Sequence, residues 1–337
     1  MRRIAVINQK GGVGKTTTTA SLGVALAIAQ QRVLLIDLDP QAHLTLNLGV
    51  DPGSVEAGAY EVLIKSTAVT DALIEARPGL WLLPAHTDLV AAETELISVV
   101  GREVVLRDAL TRIADRFDYL LIDCPPSLNI LTLNALSAVD EVFIPLQPHF
   151  LALQGLAKLL ETIALVQTRI NARLRLSGII MCLFEAGTRL AGEIVDDIHG
   201  FLDGSRGQDV VWSRACVFDT IIRRNIKLAE APGHGQTIFE YAPRSRGAAD
   251  YAALAREVLS MTDAAKQELD PKSTPIEPRA QATGAETVET VKQTDDADSA
   301  VPTQVTPTSP PVRAAPAEAP ATEDVNPVEP NSVPSVA

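Results

Sequence analysis

The sequence predicts an α/β protein with three layers, a mostly parallel sheet, a phosphate-binding loop and a disordered C-terminal tail. Short aliphatic runs that end in carboxylates alternate with helical stretches, as in parallel sheets with right-handed crossovers. A glycine-rich segment joins the first of these runs to the first helix. From residue 263 onward the chain is acidic, rich in proline and free of aromatic residues.

The first element is the phosphate-binding loop. An apolar run, IAVI, covers residues 4–7, the segment Gln9–Thr17 reads QKGGVGKTT, and a helical pattern follows over residues 20–29. Strand, glycine loop and helix are the context that such a loop requires. Backbone N–H groups, the helix N-terminus and the Lys15 ammonium can surround a polyphosphate, and the Thr16 hydroxyl is placed to bind Mg²⁺. The residues predicted to bind the nucleotide here are Gly11, Gly12, Val13, Gly14, Lys15, Thr16 and Thr17.

Further aliphatic runs predict the remaining strands. Strands are expected at residues 32–37, 119–123, 141–146 and 177–183, and helices at about 102–115, 151–170, 189–203 and 247–261. Ligands bind at the carboxyl ends of parallel strands. Asp37, Asp39 and Asp123 are therefore expected to cluster beside the glycine loop. Asp123 closes its strand and can hold Mg²⁺, usually through water. The alternatives are a solvated strand end for Asp123 and a turn or helix-cap role for Asp37 and Asp39.

Composition limits the possible classes of protein. No apolar run approaches the roughly 18 residues of a membrane span. Residues 1–3 lead directly into a strand, so a signal peptide is not expected and the interpretation is a cytoplasmic protein. Cys124, Cys182 and Cys216 lack metal-ligand spacing, which favours buried thiols.

The tail differs sharply from the rest of the chain. Residues 263–337 contain 5 Lys and Arg against 13 Asp and Glu, 12 of the 22 prolines, and no Phe, Trp or Tyr. Such a segment buries too little apolar surface to offset the entropy lost on ordering. We therefore predict a globular domain at residues 1–262 and a disordered Pro/Ala/Thr-rich linker or interaction tail at 263–337.

The loop sequence KGGVGKT resembles the deviant Walker A motif, K-G-G-x-G-K-[ST], of the ParA/MinD superfamily of ATPases. Later segments resemble motifs of its ParA/Soj partition branch. These are PLQ with ALQGL in residues 145–156, NIKLAEAP in residues 225–232 and YAPRSRGA in residues 241–248. The resemblance covers about residues 1–261.

This resemblance implies an ATPase that uses ATP and Mg²⁺ and forms a homodimer on ATP binding. Lys10 would reach across the dimer interface to the phosphates held by the other subunit, where it would act with Lys15. Asp39 would orient the attacking water, and Asp37 would support the loop or the metal shell. The implied metal-binding residues are Thr16, Asp37 and Asp123. Asn225 and Pro232 would lie near the base and the dimer face.

The resemblance also implies binding to nonspecific DNA, association with the nucleoid, and a ParB-like centromere-binding partner that triggers hydrolysis. Two arginines are prominent in the partition branch. Gly187 occupies the first of these positions, with Arg189 two residues later, and Lys227 occupies the second. The predicted DNA-binding residues are Arg189, Arg223, Arg224 and Lys227. A merely solvated basic face is the alternative.

Other members of the superfamily fit less well. A MinD-like membrane-surface switch needs a basic amphipathic C-terminal helix, whereas this C-terminus is acidic and proline-rich, so no membrane partner is expected. A redox ATPase would need a partner cysteine for Cys124, and a bacterial tyrosine kinase would need a tyrosine-rich tail. The loop begins at residue 10, so an N-terminal helix-turn-helix domain is not expected. A ParA-like ATPase that positions another cargo remains open.

Overall fold

The computed structural model describes residues 1–185 and 189–269. Their sheet has the order β3-β4-β2-β5-β1-β6-β7-β8. Within this part of the chain only the β3–β4 pair is antiparallel, which confirms the predicted mostly parallel sheet. The strands are β1 (Arg2–Val6), β2 (Val33–Asp37), β3 (Ile74–Arg77), β4 (Leu80–Leu83), β5 (Tyr119–Asp123), β6 (Glu141–Leu146), β7 (Arg175–Met181) and β8 (Cys216–Val217).

Helices cover both faces of this sheet, so the predicted three layers are confirmed. Alternate residues of a strand point to opposite faces. Ala5 and Ile36 accordingly belong to one buried cluster, with α3 to α8, whereas Ile4 and Leu35 belong to the other, with α1, α2, α10 and α11. The helices are α1 (Lys15–Ile28), α2 (His43–Asn47), α3 (Ala59–Ile64), α4 (Leu89–Glu95), α5 (Val105–Leu110), α6 (Ile130–Ala138), α7 (Ala152–Arg169), α8 (Arg189–Gly204), α9 (Ile226–Glu230), α10 (Ile238–Tyr241) and α11 (Arg246–Leu269).

The central strands place the acidic residues next to the glycine loop. All five residues of β2 and of β5 are buried, as expected for strands covered on both faces. In the parallel register Asp37 lies opposite Asp123, and Asp123 also lies opposite Val6 at the end of β1. Because the glycine loop follows β1 directly, these carboxyl ends meet at one edge of the sheet.

Several element boundaries differ from the sequence predictions. The first helix begins at Lys15, five residues before the apolar pattern that predicted it. The helix expected at 102–115 is limited to α5 and a 3-10 turn at Thr111–Ile113. Helix α11 continues past residue 262 to Leu269. The rest of the predicted tail, and Gly187, lie outside the described residues.

The cysteines are mostly as predicted. Cys124 and Cys182 are buried, whereas Cys216 on the short strand β8 is only partly buried. In the described ranges no cluster of side chains has the composition of a metal site built from His, Cys, Asp and Glu alone. Those ranges also contain no helix with the length and apolarity needed to cross a bilayer.

Candidate active site

The glycine loop turns sharply into α1. Gly12 and Gly14 have φ angles of +72° and +93°, a left-handed conformation that favours glycine. The N–H of Thr18 donates to the carbonyl of Gly14 at 2.8 Å and begins the helix. Among the described residues no side chain caps this N-terminus. The first amides of α1 are therefore available to an anion.

Lys15 lies at the bottom of the loop with only 7% of its surface exposed. Its Nζ donates to the carbonyl oxygen of Lys10 at 3.2 Å, within the loop. Burial lowers the pKa of Lys15, while the Asp123 and Asp39 carboxylates oppose this shift. The Lys15 ammonium therefore lies close enough to the Asp123 and Asp39 carboxylates for their charges to interact.

Asp123 is fully buried and lacks part of its hydrogen bonding. The Thr19 hydroxyl donates to its Oδ1 at 3.4 Å, but its Oδ2 has no hydrogen-bond partner among the described residues. Burial raises the pKa of Asp123 well above its usual range, the Asp37 carboxylate adds to the shift, and the Thr16 hydroxyl opposes it. A buried carboxylate oxygen without a donor is costly, and a hard divalent cation would satisfy it. The residues present therefore fit Mg²⁺ held by Asp123 and Thr16.

Asp37 is also fully buried, but its oxygens are occupied. Oδ1 accepts the N–H of Asp39 at 3.1 Å, and Oδ2 accepts both the N–H and the hydroxyl of Thr45, at 2.9 and 2.8 Å. Burial raises the pKa of Asp37 to about 7, although the Thr45 hydrogen bonds oppose the shift. Of the two roles predicted for Asp37, these contacts favour support of the loop over direct binding of a metal.

Asp39 is positioned by its neighbours and lines the cleft. Its Oδ1 accepts the N–H of Gln41 at 3.0 Å, and its carbonyl accepts the N–H of Ala42 at 2.8 Å. Its own N–H is held by Asp37, as described above. The carboxylate is therefore fixed on a tight turn next to the glycine loop.

Thr45 links the ends of two neighbouring strands, and sequence reasoning missed it. Besides its bonds to Asp37 on β2, its hydroxyl accepts the N–H of Ala85, just after β4, at 3.0 Å. The residue is completely buried. Only the three-dimensional fold reveals this contact, because Ala85 lies forty positions further along the chain.

Replacing Thr45 by valine is expected to lower the free energy of unfolding by about 2 kcal/mol, because a bond to a carboxylate is lost and the Ala85 N–H is left unpaired. Turnover of ATP should fall about tenfold, since Asp39 is then less precisely held through Asp37. Chemical denaturation and steady-state hydrolysis measure the two effects. Thr45→Ser keeps the hydroxyl and is the matched control; equal losses in both variants would contradict this role.

A cleft of about 480 Å³ opens in front of these groups, within the size range of small-molecule sites. Eight predicted residues line it, whereas Lys10, Val13, Asp37, Asp123 and Pro232 do not; of these, Val13, Asp37 and Asp123 are buried. The predicted residues in the lining are Gly11, Gly12, Gly14, Lys15, Thr16, Thr17, Asp39 and Asn225. The lining residues that sequence reasoning missed are Gln41, His43, Pro126, Cys182, Leu183, Ile222, Leu228, Ala229 and Tyr251.

The far end of the cleft is formed by segments distant in sequence. The Tyr251 hydroxyl on α11 lies 3.0 Å from that of Thr18 on α1. Asn225 caps α9 by accepting the N–H of Lys227 at 2.9 Å. Leu183 adopts φ +52°, unusual for leucine, where the chain leaves β7. Leu183, Ile222 and Tyr251 carry no local signal, since only packing brings them to the phosphate loop, whereas Leu228 and Ala229 lie within the NIKLAEAP segment beside Asn225.

Lys10 is separate from this cleft. Its side chain is exposed, and its Nζ lies 2.7 Å from Nε2 of His149, in the loop after β6. Partial burial lowers the pKa of His149, and the charge of Lys10 adds to the shift. His149 was not among the predicted residues. In this conformation the Lys10 side chain does not line the cleft.

Each of the four predicted DNA-binding cations has an acidic partner. The Arg223 guanidinium contacts a carboxylate that is almost completely buried, and the other pairs lie at the surface. These contacts reduce the charge available to a ligand. The pairs are Arg189 with Glu193, Arg223 with Asp250, Arg224 with Glu185, and Lys227 with Glu230.

Comparison with known proteins places this site in a family. The model of a family described as AAA domain matches residues 1–176. The sporulation initiation inhibitor protein Soj of Bacillus subtilis is 43% identical over 259 residues, which are 76% of this chain and 98% of that protein. The chromosome partitioning protein ParA of Myxococcus xanthus is 41% identical over 260 residues, 77% of this chain and 88% of that protein.

Solved structures agree with these relatives. A Mycobacterium smegmatis protein described as cobyrinic acid a,c-diamide synthase, with a bound ATP analogue and magnesium, is 37% identical with a TM-score of 0.66. The match covers 79% of this chain and 97% of that chain. The cell division ATPase MinD of Pyrococcus furiosus is 26% identical with a TM-score of 0.62, over 77% of this chain and 100% of that chain. The chain therefore belongs to the ParA/Soj family of the ParA/MinD superfamily.

Proposed function

We propose that this protein is a partitioning ATPase that dimerises when it binds ATP, binds nonspecific DNA and segregates chromosomes or plasmids with a ParB-like partner. The relatives named Soj and ParA support this proposal over most of their length. ATP and Mg²⁺ are the nucleotide and the cation that fit the site, in agreement with the ligands of the solved relative. The observation that carries the proposal is the convergence of the glycine loop, Lys15 and Asp39 on one cleft, with the buried Asp123 carboxylate close enough to act on the charge of Lys15.

Hydrolysis follows from the positions of these groups. Phosphoryl transfer needs little covalent chemistry from the protein, so positioning and charge neutralisation account for most of the catalysis. Lys15 and the free amides of α1 hold the phosphate oxygens, and Asp39 orients the attacking water. Asp37 and Thr45 keep Asp39 in place. Magnesium bound near Thr16 and Asp123 would neutralise phosphate charge.

The surface around Lys10 is suited to a second copy of the chain. Lys10 is exposed and outside its own cleft, so it is free to leave His149 for the phosphates of a partner subunit. Phe150 and Leu151, next to His149, expose 78% and 56% of their surfaces. Large exposed apolar side chains are typical of protein interfaces. Closing the dimer would also exclude water from the phosphates.

We expect nonspecific duplex DNA to bind with ATP, and to bind weakly with ADP or without nucleotide. Affinity should fall steeply between 50 and 200 mM salt (about tenfold or more), because phosphate contacts release counterions. Fluorescence anisotropy with the full chain in the three nucleotide states measures this. ATP-dependent binding would also support the cytoplasmic, nucleoid-associated location. Equal DNA affinity in all three nucleotide states would contradict ATP-dependent control of DNA binding. ATP hydrolysis without any DNA binding would favour a ParA-like ATPase that positions another cargo.

A further inference from the structure

The loop that follows strand β4 is tied to helix α3 by a buried histidine and a buried glutamate. Nε2 of His86 lies 2.8 Å from Oε2 of Glu61, and the two residues expose only 7% and 8% of their surfaces. Nδ1 of His86 accepts the N–H of Asp88 at 3.3 Å. We therefore place the proton of the neutral ring on Nε2, from which it is donated to the Glu61 carboxylate.

Glu61 is itself held at the start of α3. Its Oε2 also accepts the N–H of Gly58 at 2.9 Å, and Nζ of Lys65 donates to its Oε1 at 3.2 Å. Burial opposes the charge of Glu61, but the hydrogen bonds from His86 and Gly58 lower its pKa to about 2. A buried carboxylate is costly without such donors. Loss of His86 should therefore loosen the junction between α3 and the loop.

The same junction is closed by backbone contacts. The N–H of Ala59 donates to the carbonyl oxygen of Pro84 at 2.8 Å. A Cβ atom on Gly58 would lie 2.4 Å from that oxygen, so the two segments are already as close as a glycine allows. The loop after β4 is thus positioned by α3 through both its backbone and the His86 side chain.

Ala85, in the same loop, connects this junction to the candidate active site. Its N–H donates to the Thr45 hydroxyl at 3.0 Å, and that hydroxyl donates to Oδ2 of Asp37 at 2.8 Å. The other oxygen of Asp37 accepts the N–H of Asp39 at 3.1 Å. A hydroxyl has a single proton, so the Ala85 amide occupies an acceptor position of Thr45 and leaves that proton for Asp37. Three consecutive hydrogen bonds therefore join the loop to Asp39.

We propose that His86 is a positioning residue for ATP hydrolysis. By fixing the loop after β4 on α3, it keeps the Ala85 amide in place for the Thr45 hydroxyl. The inference rests on the proposed function, because the hydrogen bonds end at Asp39, the group proposed to orient the attacking water. His86 does not line the cleft. Its loss should therefore slow hydrolysis and leave nucleotide affinity unchanged.

Three variants separate this role from a general loss of stability. His86→Leu removes the donor, His86→Gln can still present an amide N–H to Glu61, and Val62→Ala removes buried apolar atoms from the same helix. At saturating ATP and Mg²⁺, the full chain with His86→Leu should hydrolyse ATP about fivefold more slowly, and His86→Gln should stay within about twofold of wild type. Val62→Ala should unfold at a lower temperature but hydrolyse at the wild-type rate. Titration with a fluorescent ATP analogue should give the same affinity in all of them.

A double variant tests whether His86 acts through Thr45. Thr45→Val alone should slow turnover about tenfold, as argued above, and His86→Leu/Thr45→Val should be no slower, whereas independent effects would multiply to about fiftyfold. Deuterium exchange of the Ala85 amide should be faster in His86→Leu than in wild type or Val62→Ala.

The inference and the proposed function fail in different ways. If wild type hydrolyses ATP and His86→Leu does so equally fast, the inference is overturned and the proposed function stands. The same holds if Val62→Ala loses as much activity, if the double variant shows independent effects, or if exchange at Ala85 is unchanged. If wild type hydrolyses no ATP, both fail.

Discussion

Lys15→Ala is expected to weaken ATP binding by at least about 10²-fold, which is about 3 kcal/mol of charge-assisted hydrogen bonding to phosphate. Lys15 is the buried cation of the cleft, and the Asp123 and Asp39 carboxylates beside it would repel a polyphosphate once its charge is gone. Titration with a fluorescent ATP analogue in the presence of Mg²⁺ measures the loss.

Alanine variants of two other lysines are the controls for the Lys15→Ala variant. Lys158→Ala removes an exposed charge from α7 and should leave nucleotide affinity unchanged. Lys10→Ala should bind the analogue as a monomer, because Lys10 does not line the cleft, but should fail to dimerise. Near-normal affinity in Lys15→Ala would show that the phosphates do not lie on the glycine loop.

Asp39→Ala is expected to lower ATP hydrolysis by about 10²-fold or more while ATP binding persists, since the water loses its orienting carboxylate. The protein should then accumulate as an ATP-bound dimer. Single-turnover hydrolysis gives the chemical rate, and light scattering with ATP gives the dimer fraction.

Asp39→Asn is the matched variant. Its amide oxygen can still accept the Gln41 N–H, so the turn is kept while the negative charge is removed. Both variants should therefore hydrolyse slowly, and the asparagine variant should unfold at the higher temperature of the two. Normal turnover in either one would mean that another group orients the water.

Much of the fold was predictable because the central strands are buried on both faces. Continuous aliphatic runs such as VLLID in β2 and YLLID in β5 are distinctive. The strands at the two edges of the sheet were not predicted from the sequence. Strands β3 and β4 have four residues each and β8 has two, too short for a pattern to be recognised. Helix α6 was missed because most of its residues are buried, polar ones included, so that it shows no amphipathic period.

The candidate site also contains some residues that local sequence predicts and others that it does not. Residues of the glycine loop and the strand-end aspartates follow from local sequence, and the structure brings them together. Thr45, Tyr251 and His149 reach the site or Lys10 only through long-range packing. The ion pairs of Arg223 and Arg224 are equally invisible to sequence reasoning, because their acidic partners lie far away along the chain. Sequence reasoning therefore identified these arginines but not the acidic residues that pair with them.

The short edge strands have a consequence for self-assembly. The sheet ends at β8, with two residues, and at β3, with four residues and an irregular register. Such edges offer few unpaired backbone groups for another chain to extend. Copies of this protein are therefore not expected to grow into cross-β filaments by adding strand to strand. The dimerisation proposed above would then depend on side-chain contacts, which can be broken again after each round of hydrolysis.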